Sequence, residues 1–218
     1  MEVSLYMKRT SLVFVSLFLM SVIGFAKSGG NVDLTANLGG SYPMFKQDGT
    51  EKLNINNETA FEWGIYLKPT GYLDLGPISL GLSLDLGYQR DVFAFNAETG
   101  KGNLSLDSVV VGLTPKINSG IITFGIGGGV KFPLGGSSSF TETVGTTITE
   151  NYNYNILKQK YNNTYIPYVM ASLDVTVLDV LIVGVYASYD IPLLETKGLD
   201  PTIRFSSVDF GGTIGLSF

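Results

Sequence analysis

The stretch Val208-Asp209-Phe210-Gly211-Gly212-Thr213-Ile214-Gly215-Leu216-Ser217-Phe218 decides the fold. Val208, Phe210, Gly212, Ile214, Leu216 and Phe218 fall on one parity, and Asp209, Gly211, Thr213, Gly215 and Ser217 on the other. Successive side chains point to opposite faces of a β-strand, so this is a strand with one apolar face and one small or polar face.

Seven further stretches carry the same code: 31–42, 59–73, 78–89, 104–117, 122–134, 165–177 and 181–190. In 78–89, Ile78, Leu80, Leu82, Leu84, Leu86 and Tyr88 alternate with Ser79, Gly81, Ser83, Asp85, Gly87 and Gln89. In 104–117 the apolar frame slips once near Ser108, from Leu104 and Leu106 to Val109, Val111 and Leu113. One inserted residue, a β-bulge, is expected there. The connections alternate in length. Segments 74–77, 118–120 and 178–180 are tight turns; 43–58, 90–103, 133–164 and 191–202 are long and polar. Eight strands joined this way form an antiparallel up-and-down barrel with three short turns at one end and four long loops at the other.

The polarity of the faces says which solvent surrounds it. Charged residues make up 15% of the chain, where about a quarter is ordinary. There are 27 glycines, 12 tyrosines and 13 phenylalanines. A soluble barrel would carry Lys and Glu on its outer face, but here the non-apolar face is Gly, Ser, Thr and Asp. Small polar groups suit the crowded lumen of an eight-stranded barrel, which leaves the apolar face for lipid. Tyr42, Phe61, Trp63, Tyr88, Phe132, Tyr165 and Tyr189 fall on outward faces near the loop ends, where an interfacial girdle belongs.

Met7-Lys8-Arg9, the apolar run 11–25 and Gly24-Phe25-Ala26 have the three-part pattern of a secretory signal peptide. The expected division is a signal peptide at 1–26 and a barrel at 27–218. These features together resemble small outer-membrane barrels of the opacity-protein and OmpX-like type. The resemblance is one of pattern. It implies a monomer in outer-membrane lipid of the bacterial cell, and a terminal Gly-Leu-Ser-Phe218 read by the barrel assembly machinery.

Function is less constrained. The chain has no histidine and no cysteine, which removes His-based catalytic constellations and thiolate metal sites, so we expect no enzyme, no cofactor and no metal. A net charge of −5 argues against nucleic acid as a partner. The glycines at 125 and 127–129 sit in a strand with no helix after them, which is not a phosphate loop.

Candidate site residues are the lumen-facing charges. Glu62, Asp85, Asp107 and Asp190, with Lys131 and Arg90, are placed near the loop end; Asp33, Lys68, Lys116 and Asp174 nearer the turns; Asp209 midway. Two readings stay open: a salt-bridge network that plugs the lumen, or a cation-selective constriction made by Glu62, Asp85 and Asp107. The second would make the protein a narrow channel for ions or small apolar solutes, as in OmpW-like barrels. The third candidate region is the loop 133–164, where Tyr152, Tyr154 and Tyr161 among asparagines suit contact with a host or matrix ligand. The leading expectation is a structural or surface-interaction role through the loops.

Overall fold

The structure is a computed structural model that describes residues 29–49, 54–198 and 201–218. The expected signal peptide at 1–26 lies outside the described residues. Eight long strands build the wall: β1 (Gly30–Asp48), β3 (Ala60–Asp74), β4 (Ser79–Ala97), β5 (Gly100–Ser119), β6 (Ile122–Glu142), β8 (Ile166–Val177), β9 (Leu181–Asp190) and β11 (Thr202–Ser217). Each pairs antiparallel with its neighbours, and β11 pairs back onto β1 from Asp33↔Ser217 to Asp48↔Thr202. The ring therefore closes, and every wall strand has a partner on both sides. Short strands β2 (Ile55–Glu58), β7 (Thr147–Asn153) and β10 (Leu194–Glu195) pair with β4, β6 and β11 at the loop end. Helix α1 (Tyr154–Lys160) follows β7.

The lower wall obeys the expected alternation. Leu34, Ile65, Leu82, Leu113, Ile126, Val185 and Ile214 stand on the outside and are exposed, while Asp33, Lys68, Asp85, Thr114, Lys116 and Thr213 are buried inside. Leaving one such aliphatic side chain in water costs about 1.5–3 kcal/mol, so a belt of them around the whole barrel needs lipid. On β5 the exposed apolar parity runs from Val109 to Ile117. That is the length of about 9–11 residues a tilted strand needs to cross a bilayer. Among the girdle residues, Tyr42, Phe61, Phe132, Tyr165 and Tyr189 are exposed, and Trp63 and Tyr88 lie with their rings 5.4 Å apart.

Glycine makes room in the lumen. A Cβ on Gly87 would lie 2.5 Å from the Tyr66 ring, and one on Gly112 would lie 2.4 Å from the Tyr168 hydroxyl. Tyrosines that lie over the neighbouring wall strands thus require glycine beneath them, at Gly87 on the paired strand and at Gly112 two strands away.

Two expectations about the loop end are corrected. Segment 90–103 is not a loop: β4 and β5 continue in register to Ala97↔Gly100. Segment 133–164 is not a free loop either, since β6 runs to Glu142, β7 returns along it, and α1 packs behind. Strands β4, β5 and β6 are 19, 20 and 21 residues long, about twice what the membrane requires. Their outer halves rise past the lipid belt, and there the interior turns apolar. Phe93, Leu104, Leu106, Tyr152, Leu157, Tyr161, Ile166, Leu194 and Phe205 form one buried cluster inside the upper barrel.

That inversion also explains the frame slip. A register shift does occur at Asp107/Ser108, but the pairing jumps from Ser108↔Pro133 to Asp107↔Gly135, so the extra residue is Leu134 on β6. On β5 the buried parity itself does not shift: Leu104, Leu106, Ser108 and Val110 are all buried. The apolar residues changed parity because the lumen changed from polar to apolar.

Candidate functional site

Lys131 of β6 points into the middle of the barrel and is 1% exposed. Its Nζ lies 2.7 Å from Asp91, 2.8 Å from Asp190 and 3.6 Å from Asp209. Strands β4, β9 and β11 supply those acids, so one ammonium ties three walls together. Ser207 donates to Asp190 at 3.2 Å and Ser188 to Asp209 at 3.1 Å. Gln89 donates to Asp91 at 2.7 Å and accepts from the Tyr66 hydroxyl. Glu62 on β3 completes the ring of acids: its Oε1 accepts the Val92 backbone N–H at 2.7 Å. One carboxylate oxygen each of Glu62, Asp91 and Asp209 lies within 4.8 Å of the others.

A second polar network fills the turn end. Lys116 pairs with Asp33 at 3.3 Å and donates to Thr70 at 3.3 Å. Lys68 sits over the Tyr66 ring at 5.3 Å from its centroid. Asp33, Lys68, Lys116 and Asp174 border a pocket of about 390 Å³, open mouth included. Asp85 belongs to this lower half. It accepts from Ser83 at 3.0 Å and from Thr114 at 2.5 Å.

Glu62, Lys131 and Asp190 are therefore together, buried below the apolar cluster. The expected triad of Glu62, Asp85 and Asp107 is not formed. Asp107 is on the outer face, 3.8 Å from Arg90 and accepting from the Tyr88 hydroxyl at 2.5 Å. Both it and Arg90 were expected in the lumen. Asp107 was placed there because the parity change at Ser108 reads as a bulge on its own strand. Asp91, the nearest partner of Lys131, was missed because the strand was taken to end before it. The signal was present: Gln89 and Asp91 share parity with Asp85 and Gly87.

Above Lys131 the lumen is filled by aromatic packing. The Phe205 ring meets Phe45, Phe93 and Tyr161 edge to face, with centroids 5.7, 5.6 and 5.9 Å apart. Tyr152 and Tyr161 were expected as surface contacts; both are buried in this cluster, because β7 and α1 fold inward over the barrel mouth. Burial in the cluster pushes the Tyr161 hydroxyl pKa up. Tyr154 alone of the three is exposed, with Lys158 over its ring at 4.6 Å. Helix α1 starts where Asn153 accepts the Ile156 N–H at 3.0 Å, an ordinary N-cap, and it buries Leu157. Lys160 donates to Glu150 at 2.5 Å, which holds that carboxyl below its usual range.

No protein-family model matches the chain, and no curated protein matches it. Several solved structures are similar to it at low sequence identity. Ail, the attachment invasion locus protein of Yersinia pestis, has 14% identity and a TM-score of 0.41, covering 87% of this chain and 99% of Ail. OprG of Pseudomonas aeruginosa has 10% identity and a TM-score of 0.43, covering 88% and 97%. Neisserial surface protein A has 8% identity and a TM-score of 0.46, covering 86% and 99%. Likeness at this level carries no residue role across. The chain's own geometry, a closed ring of eight strands with an apolar belt outside and charge within, makes it a transmembrane β-barrel of the outer-membrane type.

Proposed function

We propose that this barrel is a closed platform, a monomer in the outer membrane that acts through its extracellular end as a surface-interaction protein. The observation that carries the reading is the filled lumen. A buried charge network at Lys131 is overlaid by the aromatic cluster around Phe205, so side chains fill the lumen at two successive levels. What the protein offers outside is a structured tip of β7, α1 and the β4–β5 hairpin, with Ile148, Tyr154 and Lys158 exposed. Aromatic and cationic groups on a rigid support suit a polar or anionic partner on a host cell or in its matrix. A closed ring leaves no strand edge to recruit a second copy, which supports a monomer. The absence of histidine supports a role without catalysis.

The test joins two measurements. Bacteria lacking other adhesins and expressing the barrel should adhere to cultured cells or immobilised matrix proteins. The triple variant Ile148→Ala, Tyr154→Ala, Lys158→Ala should lose most of that adherence while remaining a folded, heat-modifiable barrel. The purified protein in a planar bilayer should pass no steady current. Adherence no higher than the empty strain overturns the reading, and so does a stable conductance, which would favour a narrow channel.

A further inference from the structure

The charge around Lys131 does not balance. Among the described residues, Asp91, Asp190 and Asp209 pair with this single ammonium, Glu62 has an oxygen within 4.8 Å of those of Asp91 and Asp209, and all four carboxylates are at most 1% exposed. Fully ionised, the cluster carries three uncompensated negative charges away from water, an arrangement that folded proteins do not tolerate unless something neutralises it. Either protons or another cation must supply that charge.

The unused oxygens favour a cation. Glu62 Oε2 and Asp209 Oδ1 are buried without a hydrogen-bond partner. So is the hydroxyl of Ser41, a residue wholly removed from solvent. Ser41 is the direct cross-strand partner of Asp209 on one side and of Ala60 on the other, two residues from Glu62. Paired and i+2 positions share a face, so the Ser41 hydroxyl is aimed at the same space as the two carboxylates. Buried hydroxyls are almost always satisfied, and an orphan beside two orphan carboxylate oxygens marks a place where a ligand belongs.

We infer that Glu62, Asp91, Asp209 and Ser41 form a binding site for a divalent cation of the calcium class. The donors are all oxygen, which selects a hard cation over the transition metals. Carboxylate oxygens within 4.8 Å of one another each reach a central ion at Ca–O distances of about 2.3–2.6 Å. A doubly charged ion leaves the cluster with one excess negative charge, on the side of Asp190 and Lys131. The ion would link β1, β3, β4 and β11, the strands whose pairing closes the ring. The aromatic cluster above it makes exchange with bulk solvent slow, so loading belongs to folding.

The protein is refolded in detergent micelles with excess Ca2+ or with EDTA, passed through a metal-free column and assayed for bound calcium. Wild type should retain one Ca2+ per chain and unfold at a higher temperature than the EDTA-refolded form. Glu62→Gln/Asp209→Asn should run as a folded, heat-modifiable barrel with no retained calcium. Folded wild type without calcium overturns the inference and assigns the neutralising charge to protons. Equal retention in the double variant also overturns it, because the ion then sits on surface acids. Should the double variant not fold, Ser41→Ala decides: it keeps every charge, calcium should leave it for EDTA faster than wild type, and an unchanged rate overturns the site.

Discussion

Replacing Lys131 with methionine tests the centre of the lumen most severely. Methionine keeps the unbranched chain as far as Cε and removes the ammonium that contacts three acids at 2.7, 2.8 and 3.6 Å. At an effective dielectric near 20 these contacts amount to roughly 6, 6 and 5 kcal/mol of attraction. Desolvation of the charges and repulsion among the acids cancel most of that. What remains on deleting one partner of a buried cluster is about 3–5 kcal/mol of lost stability. Urea unfolding from lipid vesicles in EDTA, followed by the fluorescence of Trp63, the chain's one tryptophan, reads this as a lower midpoint at unchanged slope. Adding Asp91→Asn and Asp190→Asn to Lys131→Met should recover at least half the loss, since the stranded charge is what destabilises. A Lys131→Met barrel within about 1 kcal/mol of wild type would refute the reasoning, because a surface-like cost means the charges are not held as described.

Other consequences follow from separate parts of the molecule. Phe205→Ala leaves a cavity among Phe45, Phe93 and Tyr161 and should cost about 3–5 kcal/mol in the same unfolding assay. Leu113→Arg places a cation on the lipid belt and should cost about 2–4 kcal/mol in vesicles, with little effect expected from the same change at the exposed loop-end residue Thr147. The Glu150–Lys160 contact lowers the Glu150 carboxyl below its ordinary 4.5 and raises the Lys160 amine above its ordinary 10.5. The acid's stabilising share is thus present above 4.5 and lost as pH falls through its lowered value; the amine's share is present below 10.5 and lost as pH rises through its raised value. In an NMR titration the Glu150 carboxyl should titrate below 4.5 in wild type and return toward it in Lys160→Met; an ordinary value in wild type contradicts the pairing.

The membrane half of every wall strand was legible because two solvents act on it. Lipid outside and a polar lumen inside impose opposite demands on adjacent residues, so Leu80, Leu82, Leu84 and Leu86 against Gly81, Ser83, Asp85 and Gly87 read unambiguously. Above Lys131 that contrast ends. The outside meets water and the inside is packed with rings, so the rule reverses within a single strand: Asp91 and Phe93 share a face and both are buried. A reader of apolar parity sees a break where the backbone continues, and so ends the strand at Gln89 and places a bulge at Ser108. The candidate site suffered from the same inversion. Glu62, Lys131 and Asp190 lie on the polar-lumen side of the boundary and were found. Asp91 lies at it and was missed, and Tyr152 and Tyr161 lie beyond it, where the polar neighbours of a tyrosine say nothing about the fold of the hairpin that buries it.

The central claim is that the wall is inside out in its lower half. The chain contains no cysteine, so single cysteines can carry a spin label through β5. In lipid vesicles, labels at Val109, Val111 and Leu113 should be accessible to oxygen dissolved in the bilayer and shielded from a water-soluble nickel reagent. Labels at Ser108, Val110 and Thr114 should be shielded from both. That two-residue period, with lipid on the odd positions, is what an outer-membrane barrel with a filled lumen predicts. Equal accessibility at odd and even positions, or odd positions open to the aqueous reagent, would contradict it.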